Sequence, residues 1–271
     1  MGNVCIRRET LDDYYAVEEL TREAFWEFGS VEQTICDEHL LVHKLRDTAA
    51  FVPELSLVAE LDGRIVGHII YSKSKVVDDN GDEHELLTFG PLSVSPKYQK
   101  QGIGQSLMKY SFDVAKGLGF RAVIIFGHPD YYPRVGFRRA AEFGITTSDG
   151  KTFDPFMTFE LYQGALDGIN GRYFIDEVYE QLTQEEALEF DKRFPAKEAY
   201  VPVLIEVLLE RLKPEARKEI ESLNVGTLKW MKSKSERSVR ALPNICDESI
   251  RIIKDVMREY GYAWGETNYE R

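Results

Sequence analysis

One run of fourteen residues constrains this chain more than any other: Leu92-Ser93-Val94-Ser95-Pro96 and, after two residues, Gln99-Lys100-Gln101-Gly102-Ile103-Gly104-Gln105. An extended stretch ends near Val94, a turn carries two glycines, and a helix of about 102–117 follows at once, with Gly117 and Gly119 at its end. The first N–H groups of a helix have no intrahelical acceptor and sit at the positive end of its dipole. Gly102 and Gly104 lack a Cβ, so a bulky anion can approach the backbone there. The expected cradle is therefore Gln99, Lys100, Gln101, Gly102, Ile103, Gly104 and Gln105. The strand residues Leu92, Ser93 and Val94 offer a half-free edge to an amide-bearing chain. The pattern is not the dinucleotide fingerprint, because Leu107 stands where a third glycine is needed and no βαβ unit precedes it.

The surrounding pattern predicts a first strand over residues 3–8, then a helix opened by a Thr10–Asp13 capping box. A second helix fits 31–46, with Ile35, His39, Leu40 and His43 on neighbouring turns. Asp62-Gly63 predicts a tight hairpin, and "DDNGDE" a second turn before "ELLTFGPLSV". "RAVIIFG" fits a fully buried strand, "YYPRVGF" a short helical turn and "FMTFEL" a later strand. This order gives an α/β (α+β) class with a mixed central sheet flanked by helices. A tail of helical character begins near Ala196, including "YVPVLIEVLLERL" and a helix starting at Pro214. The expected domains are 1–195 and 196–271.

Net charge is −12, and it is uneven. Residues 200–271 carry 13 basic against 12 acidic side chains, so the remainder holds −13. An acidic body disfavours nucleic acid and suits a cationic acceptor such as an amine. Cys5, Cys36 and Cys246 are few and far apart, which predicts neither disulfides nor a metal site. With no long apolar run and no apolar leader, a cytoplasmic protein without membrane partners is expected. His39 and His43 lie four apart beside Glu38, but nothing supplies a third metal ligand. His68 reads as a core histidine, and His128 follows "VIIFG" where it could line a site.

The full string Gln99-x-x-Gly102-x-Gly104 after "LSVSP" resembles the acyl-CoA motif of the GNAT superfamily of N-acetyltransferases. "IIFGHPDYYPRVGF" resembles the segment that follows the motif there. "SLVAELDGRIVGHI" and "FMTFELYQGALDG" are similar to the YhbS-like branch. The resemblance covers roughly residues 3–180. It implies a sheet that splays open before the cradle, acetyl-CoA as co-substrate and no metal. It also implies acetyl transfer to a small-molecule or protein amine, and it admits a homodimer. The tail faintly resembles the C-terminal domain of the bacterial RNA polymerase alpha subunit through "LNVGTLKWM", "SVRALPNI" and "ESIRIIKDVMREYGYAWG". "ICDESI", however, lacks that domain's hairpin glycine.

Acylating an amine requires a neutral nitrogen, a stabilised oxyanion and a protonated leaving thiol. A lysine-like amine is neutral only about 0.04% of the time at pH 7, a cost of about 4–5 kcal/mol. The resemblance assigns Tyr132, four residues before Gly136-Phe137, as the acid that protonates the thiolate, ahead of Tyr131. It assigns the Val94 N–H as oxyanion donor. The position matching the family's strand acid is Thr88, which cannot act as a base; Glu85 on the same strand could serve through water. With no cysteine near these motifs, direct transfer in a ternary complex is expected. The rival is a non-catalytic acyl-CoA sensor with output through the helical tail.

Overall fold

Strand alternation builds the core. In the computed structural model, Ala59 and Ile69 face one side of the sheet while their chain neighbours Val58 and Ile70 face the other. The structure describes residues 4–26, 36–197, 203–232, 234, 236–262 and 264. They fall into two compact units that divide between Ala196 and Lys197.

The first unit holds β1 (Cys5–Arg8), α1 (Tyr14–Phe25), α2 (Glu38–Leu45), β2 (Leu57–Leu61), β3 (Arg64–Val77), β4 (Glu83–Val94), α3 (Ile103–Gly117) and β5 (Ala122–Phe126). β6 (Arg138–Arg139), β7 (Ile145–Thr147), β8 (Phe156–Glu160), β9 (Gly171–Phe174) and α4 (Gln184–Asp191) follow. One mixed sheet runs β1-β2-β3-β4-β5-β8-β6, and β9 joins β7 to the far end of β3. The Asp62-Gly63 turn holds both residues at positive φ, as a two-residue hairpin requires. α3 covers one face through Leu107 and Met108; α1 and α2 cover the other through Val17, Val42 and Leu45.

Three features differ from expectation. The second helix begins at Glu38, and its expected start at 31–35 lies outside the described residues. β6, β7 and β9 are two to four residues long and pair only with distant segments, so no local periodicity announces them. "VPVLIEVLLERL" forms α5 only over Glu206–Leu209.

The second unit packs α5, α6 (Pro214–Ser222), α7 (Leu228–Lys232), α8 (Glu236–Arg240) and α9 (Asp247–Glu259) around its own core of Leu208, Ile220, Val239 and Ile253. Among the described residues no helix is long and apolar enough to cross a membrane.

Under α1 and α2 lies a buried ionic knot. Arg46 donates to Glu9 Oε1 at 2.6 Å and to Glu18 Oε1 at 2.7 Å, stacks 3.8 Å from the Tyr14 ring centroid, and all three charged groups are nearly inaccessible. Removing one partner of a buried ion pair strands the other's charge. Arg46→Met should cost about 3–5 kcal/mol, read from the urea midpoint at constant m-value. A loss below about 1 kcal/mol would mean that the two carboxylates are compensated elsewhere.

Candidate active site

β4 and β5 are parallel neighbours, but they pair only at Leu87 and Val123. Beyond that point β4 departs. Its register against β3 shifts between Ile69 and Tyr71, whose partners are Leu92 and Phe89, so Gly90 and Pro91 together oppose the single residue Ile70. Such a bulge bends the strand. From Thr88 to Val94, β4 therefore borders a gap instead of a strand.

Backbone alternation fixes which groups face that gap. The Ser95 N–H donates to Val66 O on β3 at 2.9 Å. The N–H groups of Val94 and Leu92 point the opposite way, into the gap. The side chain of Ser93 is fully buried and shares a 2.9 Å hydrogen bond with Thr21 Oγ1 on α1, so Ser93 offers only backbone to a ligand.

At the end of β4 the chain turns through Pro96–Tyr98, and Gln99 Nε2 closes the turn on Val94 O at 3.1 Å. Lys100 and Gly102 both have positive φ, at 62° and 83°. Gly102 caps α3, and the first helical bond is Ser106 N–H to Gly102 O at 2.9 Å. The N–H groups of Ile103, Gly104 and Gln105 thus have no intrahelical acceptor. Lys100, Gln101, Gly102 and Gln105 are exposed, while Ile103 is buried against the sheet. The two glycines serve different needs. A Cβ on Gly102 would meet nothing within 4 Å, so its backbone twist is the constraint; a Cβ on Gly104 would meet Leu92 and Val94 side chains at 3.7 Å, ordinary contact. These N–H groups sit at the positive end of the α3 dipole, an arrangement that suits an anion.

Across the gap stands Tyr132. Its ring packs 6.0 Å from Phe89 on β4 and 5.3 Å from Phe137, and its backbone carbonyl accepts from the Phe137 N–H at 3.1 Å. Its position depends on Gly127 at the end of β5, where a Cβ would come within 2.4 Å of two Tyr132 ring carbons. Burial, then the neighbouring Tyr131, pushes the Tyr132 hydroxyl well above the usual phenol range, so it stays protonated at neutral pH. Gly127→Ala should displace the ring and cut transfer at least tenfold although every reactive group is retained, checked by steady-state rates beside a thermal melt. An unchanged rate would mean that the ring's position is immaterial.

The other singled-out residues sit elsewhere. Glu85 precedes the single β4–β5 pair, on the closed side of the gap. Its carboxylate is 56% exposed and bonded to Lys73 Nζ at 3.0 Å. That placement removes it from the reacting groups. Thr88 is buried opposite Ser72. His128 Nδ1 accepts from the Asp130 N–H at 3.2 Å and serves its own turn. His68 is buried 3.2 Å from Ser56 Oγ; His39 lies 3.2 Å from Asp191, and His43 bonds Glu18 at 2.9 Å. Among the described residues no cluster of three or more His, Cys, Asp or Glu is placed to hold a metal.

The model of the acetyltransferase (GNAT) family matches residues 16–140. The uncharacterized N-acetyltransferase YhbS of Escherichia coli K12 is 33% identical over 135 residues, 49% of this chain and 78% of that protein. The chain belongs to the GNAT acetyltransferase family. That membership makes it an acyl-CoA-dependent acyltransferase by class. A crystal structure of the E. coli GNAT N-acetyltransferase YhbS in complex with CoA superposes with a TM-score of 0.59 at 27% identity, covering 68% of this chain and 95% of that one. A GNAT acetyltransferase from Brucella melitensis in complex with acetyl-CoA gives a TM-score of 0.52 at 27% identity, covering 66% and 99%. The open gap, the exposed N–H turn and Tyr132 all lie within the residues 16–140 that the family model matches.

Proposed function

We propose that this chain moves the acetyl group of acetyl-CoA to a primary amine by direct transfer in a ternary complex. The observation that carries it is the single-pair junction of β4 and β5, which leaves the Val94 N–H facing an open gap with Tyr132 across it. The relatives crystallised with CoA and acetyl-CoA support the donor. In this reading the pyrophosphate lies on the N–H groups of residues 100–105. The pantetheine amides add to the free edge of β4, and the thioester carbonyl accepts from Val94 N–H. As the nitrogen attacks, negative charge grows on that oxygen, where a fixed donor is worth most. The C–S bond then breaks, and Tyr132 gives its proton to the sulfur. Burial that raises the phenol also raises a thiolate held in the same gap, so the two remain matched.

The rival, a non-catalytic acyl-CoA sensor, draws support from the separate core of the helical unit. One assay separates them: thiol release from acetyl-CoA with tyramine, spermidine and a lysine-bearing peptide. The acyltransferase reading expects release that depends on the amine. Tight acetyl-CoA binding with no amine-dependent release from any of them would favour the sensor.

A further inference from the structure

Thr88 leaves the chain without a carboxylate on the strand beside the gap. The opposite face of the sheet from α3 is nonetheless polar there. Ser72, Ser74, Thr88 and Tyr173 are all buried, and the hydroxyls of Ser74 and Tyr173 lie near one another without a well-formed hydrogen bond. Burying poorly satisfied hydroxyls is costly. Tyr179 stands over the same place: its hydroxyl shares a 3.1 Å hydrogen bond with Ser72 Oγ and donates to Gly90 O, in the β4 bulge, at 3.5 Å.

Onto this polar face α2 brings Glu38. The helix packs against both β4 and the 177–179 turn, and the Glu38 charge is close enough to act on the Tyr179 hydroxyl. Its situation differs from that of other sheltered carboxylates in this unit. Glu9 and Glu18 share Arg46, and Asp191 is held by Arg22. Glu38 is half-buried, and among the described residues no cation or donor is bonded to its side chain.

We propose that Glu38 is the catalytic base on the acceptor side, binding the ammonium group of the amine and taking the proton that leaves its nitrogen. This rests on the amine-acetyltransferase reading above and supplies the base missing from it. The balance is simple. The bound ammonium first loses one proton to the Glu38 carboxylate, which passes it to water; the neutral nitrogen then forms a bond to the acetyl carbon and loses its second proton to the same carboxylate. The C–S bond breaks and the sulfur takes one proton from Tyr132. Water then carries the proton from Glu38 and restores the phenol.

The electrostatic surroundings suit the task. Burial, then Asp37, pushes the Glu38 carboxyl up to about 7, near the pH at which a base is most useful. The titratable groups bearing on it are Asp37 and the buried Cys36 thiol on its own segment and Tyr179 on the facing turn, where Asp176 acts on Tyr179. On this face β3 and β4 carry the neutral hydroxyls of Ser72, Ser74 and Thr88. The charges α2 exchanges with α1 and α4, His43 with Glu18 and Lys44 with Glu186, lie further along the helix. A carboxylate raised in this way gives activity that climbs as pH rises through about 7.

The test is kcat/KM against pH with tyramine and spermidine, acetyl-CoA saturating. Wild type should show the limb near 7. Glu38→Gln should lose about 10²-fold at neutral pH, lack that limb, regain rate only as the amine itself deprotonates, and bind acetyl-CoA normally. Asp37→Asn keeps Glu38 and removes its negative neighbour, so the limb should move to lower pH; this variant also serves if Glu38→Gln fails to fold. Amines acetylated at the wild-type rate and profile by Glu38→Gln, or a limb unmoved in Asp37→Asn, would overturn the base while leaving the amine reading intact. No acetylation of either amine by wild type, with acetyl-CoA bound, would overturn the amine reading and the base with it.

Discussion

Tyr132→Phe should keep acetyl-CoA affinity within about twofold and slow transfer by about 10²–10⁴-fold, the usual worth of a positioned general acid. The ring of Tyr132 is what packs, against Phe89, Phe137 and the bare backbone of Gly127. Phenylalanine retains all of that and removes only the proton. A loss confined to kcat, and carried equally into kcat/KM, marks an interaction made only in the transition state. Tyr131 stands edge-on to Tyr132, with ring centroids 5.1 Å apart, so Tyr131→Phe is the matching control and should retain turnover. Full turnover in Tyr132→Phe would pass the acid role to Tyr131 or to water. Steady-state kinetics on the two variants, beside calorimetry of acetyl-CoA binding, makes the comparison.

Gly104→Glu should weaken acetyl-CoA binding by at least about 10²-fold without unfolding the chain. Each charge-assisted hydrogen bond is worth roughly 1.5–3 kcal/mol, and displacing the pyrophosphate from two N–H groups suffices for that loss. The carboxylate adds like-charge repulsion at a helix start that favours anions. Folding should survive because the Cβ meets Leu92 and Val94 only at ordinary contact distance. Gly104→Ala tests that geometry directly and should keep most of the affinity. Gly102→Ala tests a different need, because its φ of 83° strains any side-chain-bearing residue although the space is open. Calorimetry with thermal melts separates the three variants. Unchanged affinity in Gly104→Glu would mean that the pyrophosphate lies elsewhere.

What the sequence made legible is what short-range chemistry encodes. Asp62-Gly63 can hardly be anything but a tight turn, and Thr10 with Asp13 does form a capping box, on the 3-10 turn Leu11–Asp13 that leads into α1, the Thr10 N–H donating to Asp13 Oδ2 at 2.8 Å. The strand, glycine turn and helix around Val94, Gly102 and Gly104 are legible for the same reason. Other features depend on partners far along the chain. Gly171–Phe174 becomes a strand because it meets Lys75–Val77 and Ile145–Thr147, and four residues carry too little periodicity to say so. Glu85 looked useful because it lies on the strand leading to the cradle, yet β4 and β5 diverge only after Leu87, and Lys73 holds Glu85 on the closed side. Glu38 drew notice only beside His39 and His43. Its relation to β4 is made by α2 packing on the turn that carries Tyr179, a juxtaposition no local pattern contains.

The central claim is that acetyl-CoA occupies the gap between β4 and β5, its pyrophosphate on the turn before α3 and its thioester carbonyl at Val94. Backbone amide resonances followed during a titration with acetyl-CoA test this most directly, because the contacts proposed are to N–H groups. The largest shifts should fall on Leu92, Val94 and residues 100–105, with the Asp62-Gly63 hairpin unmoved. Shifts concentrated anywhere else, with Val94 and the 100–105 amides silent at saturation, would contradict the account.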